Sequence, residues 1–299
     1  MKNILVVGSM NMDLSIEVDR APKIGETLVG RGFSTAPGGK GANQAIAAAR
    51  LGGNVRFLGA VGKDSYGTQL TENLKKNNIA YEGAVLENTT TGIAMITVCN
   101  GNNFILLDSG ANDCVTPAML EGKKDLFSWA DFVILQLEIP MDAVLCAAKL
   151  GSEFGAKVLL NPAPYKPLPD ELFPYLDYLI PNEHEASDIV GFAIETDADA
   201  ENAIEALLAK GIKNVVITLG DKGCVYKDET GIRFQAAEKV KAIDTTAAGD
   251  TFIGALVSKL CEGKDMQSAV QYATHASAVT VTRRGAADSI PFASELEMV

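Results

Sequence analysis

The sequence predicts a three-layer α/β/α domain with a mostly parallel central sheet, to which a small second β-sheet is added. Two observations predict the main layers. Short, continuous apolar runs recur along the chain, and alanine-rich amphipathic stretches separate them. A strand that is apolar at every position is buried on both faces, as in a parallel sheet covered by helices on each side. The third observation predicts the added sheet: in two regions the continuous runs give way to alternation, the pattern of strands with one solvated face.

Taken in order, residues 4–7 read as a buried strand ending at Gly8. Residues 14–18 (Leu-Ser-Ile-Glu-Val) alternate, and the glycine-rich 25–33 follows with Thr27 and Val29. Residues 43–50 read as a helix stopped by Leu51-Gly52-Gly53, 55–59 as a strand, and 66–77 as a helix ending at Asn77-Asn78. The second alternating region, 91–98 and 104–107, flanks Asn-Gly-Asn-Asn at 100–103, a hairpin signal. The first rhythm then returns. Residues 132–137, 158–161, 178–181 and 215–219 read as strands; 141–154, 200–210, 249–261 and 266–281 read as helices. There is no internal repeat and no long linker. One domain over 1–299 is expected, with a small β lid formed from about 14–36 and 91–108.

The hydrophobic fraction of 47% and charged fraction of 21% are ordinary for a globular protein. A net charge of −12 opposes binding to a nucleic-acid backbone or an anionic membrane. It leaves open a phosphorylated small ligand, which a few local groups and a metal ion can hold. The first apolar run is too short for a leader or span, and no later segment reaches about 18 residues, so a cytoplasmic protein is expected. Cys99, Cys114, Cys146, Cys224 and Cys261 are odd in number and widely spaced, which reads as free thiols. His184 and His275 are too few for a histidine-rich metal site. The sequence identifies no carboxylate partner for either.

Five loops carry candidate chemistry. Asp-Thr-Thr-Ala-Ala-Gly-Asp at 244–250 runs into a helix, and small residues at a helix start leave backbone N–H groups open to an anion. An N-cap alone explains one carboxylate there, not two framing five small residues. Pro-Gly-Gly-Lys-Gly-Ala-Asn-Gln at 37–44 also enters a helix; its glycines admit a ligand to the backbone, although a plain capping turn reads nearly as well. It lacks the P-loop spacing. Gly-Ser-Met-Asn-Met-Asp at 8–13 follows the first strand, where the carboxyl end faces the ligand crevice of a parallel sheet. Asn11 and Asp13 suit sugar hydroxyls, or an Asx turn. Thr-Leu-Gly-Asp-Lys-Gly at 218–223 reads as a nucleotide loop or an ordinary turn. Asn182 and Glu185 have the oxygens to serve a phosphate–magnesium unit and equally the spacing of a capping box; both can hold at once.

In this order and at these separations, the five loops resemble the ribokinase-like, or phosphofructokinase-B, family of carbohydrate kinases from Gly8 to about Pro291. The runs 38–43 and 244–250 look like the family's two signatures. Asn-Met-Asp at 11–13, Gly-Ala-Asn at 110–112, Gln-Leu-Glu at 136–138, Asn-Pro-Ala-Pro at 161–164, Pro-Asn-Glu at 181–183 and Arg-Arg-Gly-Ala at 283–286 look most like its ribose-phosphorylating members. The resemblance implies ATP-dependent phosphorylation of a sugar's primary hydroxyl, D-ribose to D-ribose 5-phosphate. It implies Asp250 as general base and an anion hole of backbone amides at Ala247, Ala248 and Gly249. Asn11, Asp13, Gly39, Lys40, Gly41, Asn43 and Glu138 would hold the sugar. Asn182 and Glu185 would serve the phosphates and magnesium, and Thr218, Gly220, Gly223 and Gly249 would border the nucleotide. Thr274 would lie near the adenine, where relatives often carry histidine. A monovalent cation, usually potassium, would take Asp244 and Ser289 with main-chain oxygens of Thr246, Thr280, Arg283 and Gly285. A homodimer through the lid is likewise implied.

Ala247 stands where the signature often has glycine, and Ile253 where many relatives have asparagine. A related kinase for deoxyribose, a nucleoside or a ketohexose derivative is the alternative within enzymes. A non-catalytic sugar or nucleotide sensor on the same fold would show a missing base or a degraded anion loop, and neither is seen. Gly-Ser-Met-Asn-Met-Asp is not the Gly-x-Gly-x-x-Gly of a dinucleotide-binding dehydrogenase.

Overall fold

The computed structural model describes residues 2–99 and 102–296. Its elements follow the hydrophobic spacing closely. Strand β1 (Asn3–Val7) leads to β2 (Asn11–Val18), and β3 (Arg31–Gly38) returns antiparallel to it. Helix α1 (Lys40–Arg50) starts at Gly39, whose φ of 92° suits glycine. Next come β4 (Asn54–Leu58), β5 (Ala60–Gly62), α2 (Ser65–Lys76), β6 (Ala80–Tyr81) and β7 (Ala84–Leu86). The side chain of Asp64 caps α2 by accepting from Gly67 N–H. Strands β8 (Gly92–Cys99) and β9 (Asn102–Asp108) form the expected hairpin; the centre of its turn lies outside the described residues.

Short helices α3 (Pro117–Glu121) and α4 (Lys124–Trp129) precede β10 (Phe132–Leu135), α5 (Met141–Glu153), β11 (Lys157–Leu160) and β12 (Tyr178–Leu179). Helices α6 (Glu183–Val190) and α7 (Asp197–Ala209) lead to β13 (Asn214–Thr218). The hairpin β14 (Gly223–Asp228) and β15 (Gly231–Ala236) follows, then α8 (Ala248–Cys261) and α9 (Met266–Val281).

Among the described residues the main sheet runs β15-β14-β13-β12-β11-β10-β1-β4-β6. From β6 to β13 every pairing is parallel; β14 and β15 extend the edge antiparallel. Successive residues of β1 show why the strands are apolar throughout. Ile4 and Val6 pack into a core under α1, α2, α8 and α9, while Leu5 and Val7 pack into a second core under α3 to α7. The predicted fold class is borne out. The hairpin at 223–236 is an addition: β14 has only the three-residue buried run 224–226, and no residue of the edge strand β15 is fully buried.

The second sheet has the order β3-β2-β8-β9 and grows from the chain leaving β1. Only β2 and β8 pair in parallel. Met95, Phe104, Ile105, Leu106 and Leu107 expose about half of their surface or more on β8 and β9. No helix among the described residues is long and apolar enough to cross a membrane.

Candidate active site

Helices α1 and α8 pack unusually close, and this builds the site. Gly254 has no side chain where a Cβ would stand 2.4 Å from Ala47 Cβ, so α8 presses onto the alanine-rich face of α1. One turn nearer the N-terminus of each helix, Asn43 and Gln44 meet Asp250. Asn43 Nδ2 donates to Asp250 Oδ2 at 3.1 Å, and Gln44 Nε2 donates to Oδ1 at 2.9 Å. Asp250 is 8% exposed, and these two amides hold its carboxylate in one plane.

The loop before α8 turns on Ala247, which adopts a left-handed φ of 60°. That conformation costs a non-glycine residue roughly 1–2 kcal/mol, and glycine's frequency there in the family signature has this physical reason. Ala248 N–H reaches Thr245 O at 3.3 Å and Thr251 N–H reaches Ala247 O at 2.8 Å. The N–H groups of Gly249 and Asp250 find no acceptor among the described residues. A Cβ on Gly249 would meet nothing within 4 Å, so the first turn opens onto free space.

That space is a cleft of about 190 Å³. Lys40, Asn182, Glu185, Thr218 and the turn 247–250 line it, together with Asn161, Thr245 and Ile253. Asn182 and Glu185 do form a capping box: Glu185 N–H donates to Asn182 Oδ1 at 2.8 Å and Asn182 N–H to Glu185 Oε2 at 2.9 Å. Both nonetheless face the cleft. Burial would lower the Lys40 pKa, but Asp250, Glu138 and Glu185 around it raise it above its usual value. Lys40 is therefore a fixed positive charge among three carboxylates.

Beyond Asp250, the run from β1 into β2 makes a second cluster. Glu138 accepts from Ser9 Oγ at 2.5 Å, Asn11 Nδ2 at 3.3 Å and Lys40 N–H at 3.0 Å. Asn112, from the loop after β9, orients Asn11 by donating to its Oδ1 at 2.8 Å. Gly39 and Gly41 permit close backbone crossings, since a Cβ would lie 2.7 Å from Asn11 N and 2.5 Å from Ser9 N respectively. The Asp13 carboxyl is pushed up to about 7, first by burial and then by the charges of Glu138 and Asp250.

Of the residues expected around a monovalent cation, Asp244 and Gly285 are brought into contact. Asp244 Oδ1 accepts from Thr246 N–H at 3.0 Å and Thr246 Oγ1 at 2.7 Å, and Oδ2 accepts from Gly285 N–H at 3.0 Å. Arg283 N–H donates to Thr280 O at 3.0 Å, and Ser289 Oγ to Ala286 O at 2.7 Å.

Three nucleotide candidates stay outside the cleft wall. Gly220 has a φ of 58° in the turn after β13. Gly223 opens β14, where a Cβ would stand 2.0 Å from Gln235 O, so strand crossing alone demands glycine. Thr274 is buried in α9 and donates to Val270 O at 2.9 Å. Sequence reasoning assigned no part to Gln44, Asn161 or Asn112. Their signal lay in the quoted runs that contain them, 37–44 for Gln44, Gly-Ala-Asn at 110–112 for Asn112 and Asn-Pro-Ala-Pro at 161–164 for Asn161. His275 Nδ1 does have a carboxylate beside it, Glu238 at 2.9 Å, brought there by the loop after β15.

Residues 1–293 match the pfkB family of carbohydrate kinases. A ribokinase of Schizosaccharomyces pombe is 44% identical over 99% of this chain and 97% of its own. The crystal structure of a ribokinase from Thermotoga maritima superposes with a TM-score of 0.90 at 39% identity, over 99% of this chain and 98% of that one. The structure of Arabidopsis thaliana ribokinase complexed with ribose and ATP superposes with a TM-score of 0.93 at 32% identity, over 99% and 97%. The fold and cleft are those of a carbohydrate kinase. The chain belongs to the pfkB family of these enzymes.

Proposed function

We propose that this chain transfers the γ-phosphoryl group of ATP to the primary hydroxyl of D-ribose. The observation that carries the reading is the Asp250 carboxylate, clamped by Asn43 and Gln44 at the open N-terminus of α8. A relative of matching fold is a ribokinase complexed with ribose and ATP. Each Asp250 oxygen accepts one hydrogen bond and keeps capacity for another. Asp250 takes the proton of the attacking hydroxyl as it meets the phosphorus in line. The amides of the turn 247–250, with the N–H groups of Gly249 and Asp250 free to donate, stabilise the charge on the phosphoryl oxygens.

Asn11, Asp13, Gly39, Lys40, Gly41, Asn43 and Glu138 hold the sugar hydroxyls. Thr218, Gly220, Gly223 and Thr274 border the nucleotide. A neutral acceptor is favoured by Arg31, a basic residue of the second sheet, whose guanidinium is already paired with Glu17 and Asp19. A phosphorylated sugar would ask for free basic groups there. The second sheet serves as a lid that excludes water from the transfer. Its exposed apolar strands favour a lid-to-lid homodimer. A single-chain mass by analytical ultracentrifugation at micromolar concentration would remove that part.

Among the described residues no three His, Cys, Asp or Glu side chains gather into a metal cage. Glu185, with one oxygen bound in its cap and the other unengaged, fits a magnesium ion that arrives on nucleotide phosphates. Asn182 would assist through water. Bound magnesium neutralises phosphate charge. The oxygen-only set of Asp244, Ser289 and the carbonyls of Thr246, Thr280, Arg283 and Gly285 fits potassium, which such oxygens strip of water.

The test is ADP release with ribose, deoxyribose, fructose and adenosine, with and without potassium. Ribose should be the best acceptor, and Asp250→Ala should lose about 2–4 orders of magnitude in kcat while still binding ribose. Near-normal turnover in Asp250→Ala sinks the assignment, and a better acceptor than ribose corrects the substrate.

A further inference from the structure

Three buried amides form a chain that ends on Asp250, and the proposed reaction uses only the contact Gln44 makes with that carboxylate. Gln44 and Gln136 are 0% exposed and Asn161 is 8% exposed. Gln136 follows β10, Asn161 follows β11 and Ile180 follows β12; the register Leu135 to Leu160 and Leu160 to Leu179 sets them side by side.

Each amide has its direction dictated. The carbonyl of Ile180 can only accept, so Asn161 turns Nδ2 towards it at 2.9 Å and presents Oδ1 to Gln44. Gln44 must then offer Nε2, at 3.1 Å, and its other N–H goes to Asp250 Oδ1 at 2.9 Å. Gln44 Oε1 is left to accept from Gln136 Nε2 at 2.7 Å. Turning the Gln44 amide over would set its oxygen against two acceptors, the Asp250 carboxylate and Asn161 Oδ1.

The arrangement is also held at a cost. Gln136 Oε1 is buried without a hydrogen-bond partner, and a Cβ on Gly8 would stand 2.0 Å from it.

We infer that Gln44 is the positioning residue for Asp250, its amide locked by Asn161 and Gln136 so that the carboxylate plane is set before the sugar arrives. This rests on the reading of Asp250 given above.

Gln44→Met keeps length and volume and removes every hydrogen bond of the amide. It should lower kcat for ribose and ATP about 10–100-fold while the ribose KM stays within about threefold. Gln136→Met should lower kcat by about 3–10-fold, and the double variant should be no slower than Gln44→Met, since Gln136 acts only through Gln44. Folded Gln44→Met with kcat within about twofold of the unaltered enzyme, or losses that multiply in the double variant, overturn the inference. Should Gln44→Met fail to fold, folded Gln136→Met decides alone: an unchanged kcat overturns it. Asp250→Asn in the same assays separates the two readings. Its loss of turnover beside an unaffected Gln44→Met sinks only the positioning role, whereas near-normal Asp250→Asn sinks the base itself.

Discussion

The Asp13 carboxylate lies against the bare α-carbon of Gly38, where a Cβ would stand 2.4 Å from Asp13 Oδ2. The obstacle is the end of a side chain, so the fold can yield while the sugar site cannot. Gly38→Ala should therefore cost little stability, about 1 kcal/mol or less, yet raise the ribose KM about tenfold or more by displacing Asp13. Steady-state kinetics beside a thermal melt check this; an unchanged KM in the folded variant refutes it.

Asp13 also couples sugar binding to stability. Its carboxyl is raised from 3.8 to about 7, first by burial and then by Glu138 and Asp250. Between those values the folded chain binds the proton more tightly than the unfolded one. Stability therefore falls as pH rises across that window, and the penalty is complete above it. Asp13→Asn should gain about 1–3 kcal/mol at about pH 8, much less at about pH 4, and lose most of its ribose affinity. Denaturant titrations at both pH values, with ribose binding by calorimetry, measure it; equal gains at both would contradict the assignment.

Ala247 holds its left-handed turn without glycine's freedom. Ala247→Gly should stabilise the fold by about 1 kcal/mol and leave kcat within about twofold, since the backbone path is unchanged. A destabilised variant would show that the Ala247 side chain contributes packing that outweighs the strain.

For Asp244, burial alone would raise the carboxyl, but the donors of Thr246 and Gly285 and the charge of Arg284 hold it below its ordinary range. A depressed carboxyl stabilises the fold above its unfolded pKa, and this is lost as pH falls through the folded value. Asp244→Asn should cost about 0.5–1 kcal/mol at neutral pH, the half-exposed site being screened by solvent. It should also raise the potassium concentration for half-maximal activity about 3–10-fold, read by ADP release across a potassium chloride series. Unaltered potassium dependence would place the cation elsewhere.

Much of this protein was legible in the order of its residues. Apolar runs at 4–7, 132–137 and 215–219 announce strands buried on both faces, because both sides of the sheet carry helices. The loops with Asn182, Glu185 and Thr218 were legible too, since polar residues after parallel strands face the crevice, and those with Lys40 and Asp250 were legible as small residues entering a helix. The strand β15 was not, because a half-solvated edge carries no apolar run. Nor was the pairing of His275 with Glu238, which depends on where one loop crosses α9.

What the sequence determined by itself was local: period, turn chemistry, helix starts and the residue types at each strand end. Tertiary structure alone decided which of those ends share a cleft. Asn43 and Gln44 reach Asp250 across more than 200 positions of chain because Gly254 lets α8 settle on Ala47 and Ala48. Sheet register sets Gln136 beside Asn161. Such contacts follow from packing between elements far apart in sequence, and no window of neighbouring residues contains them.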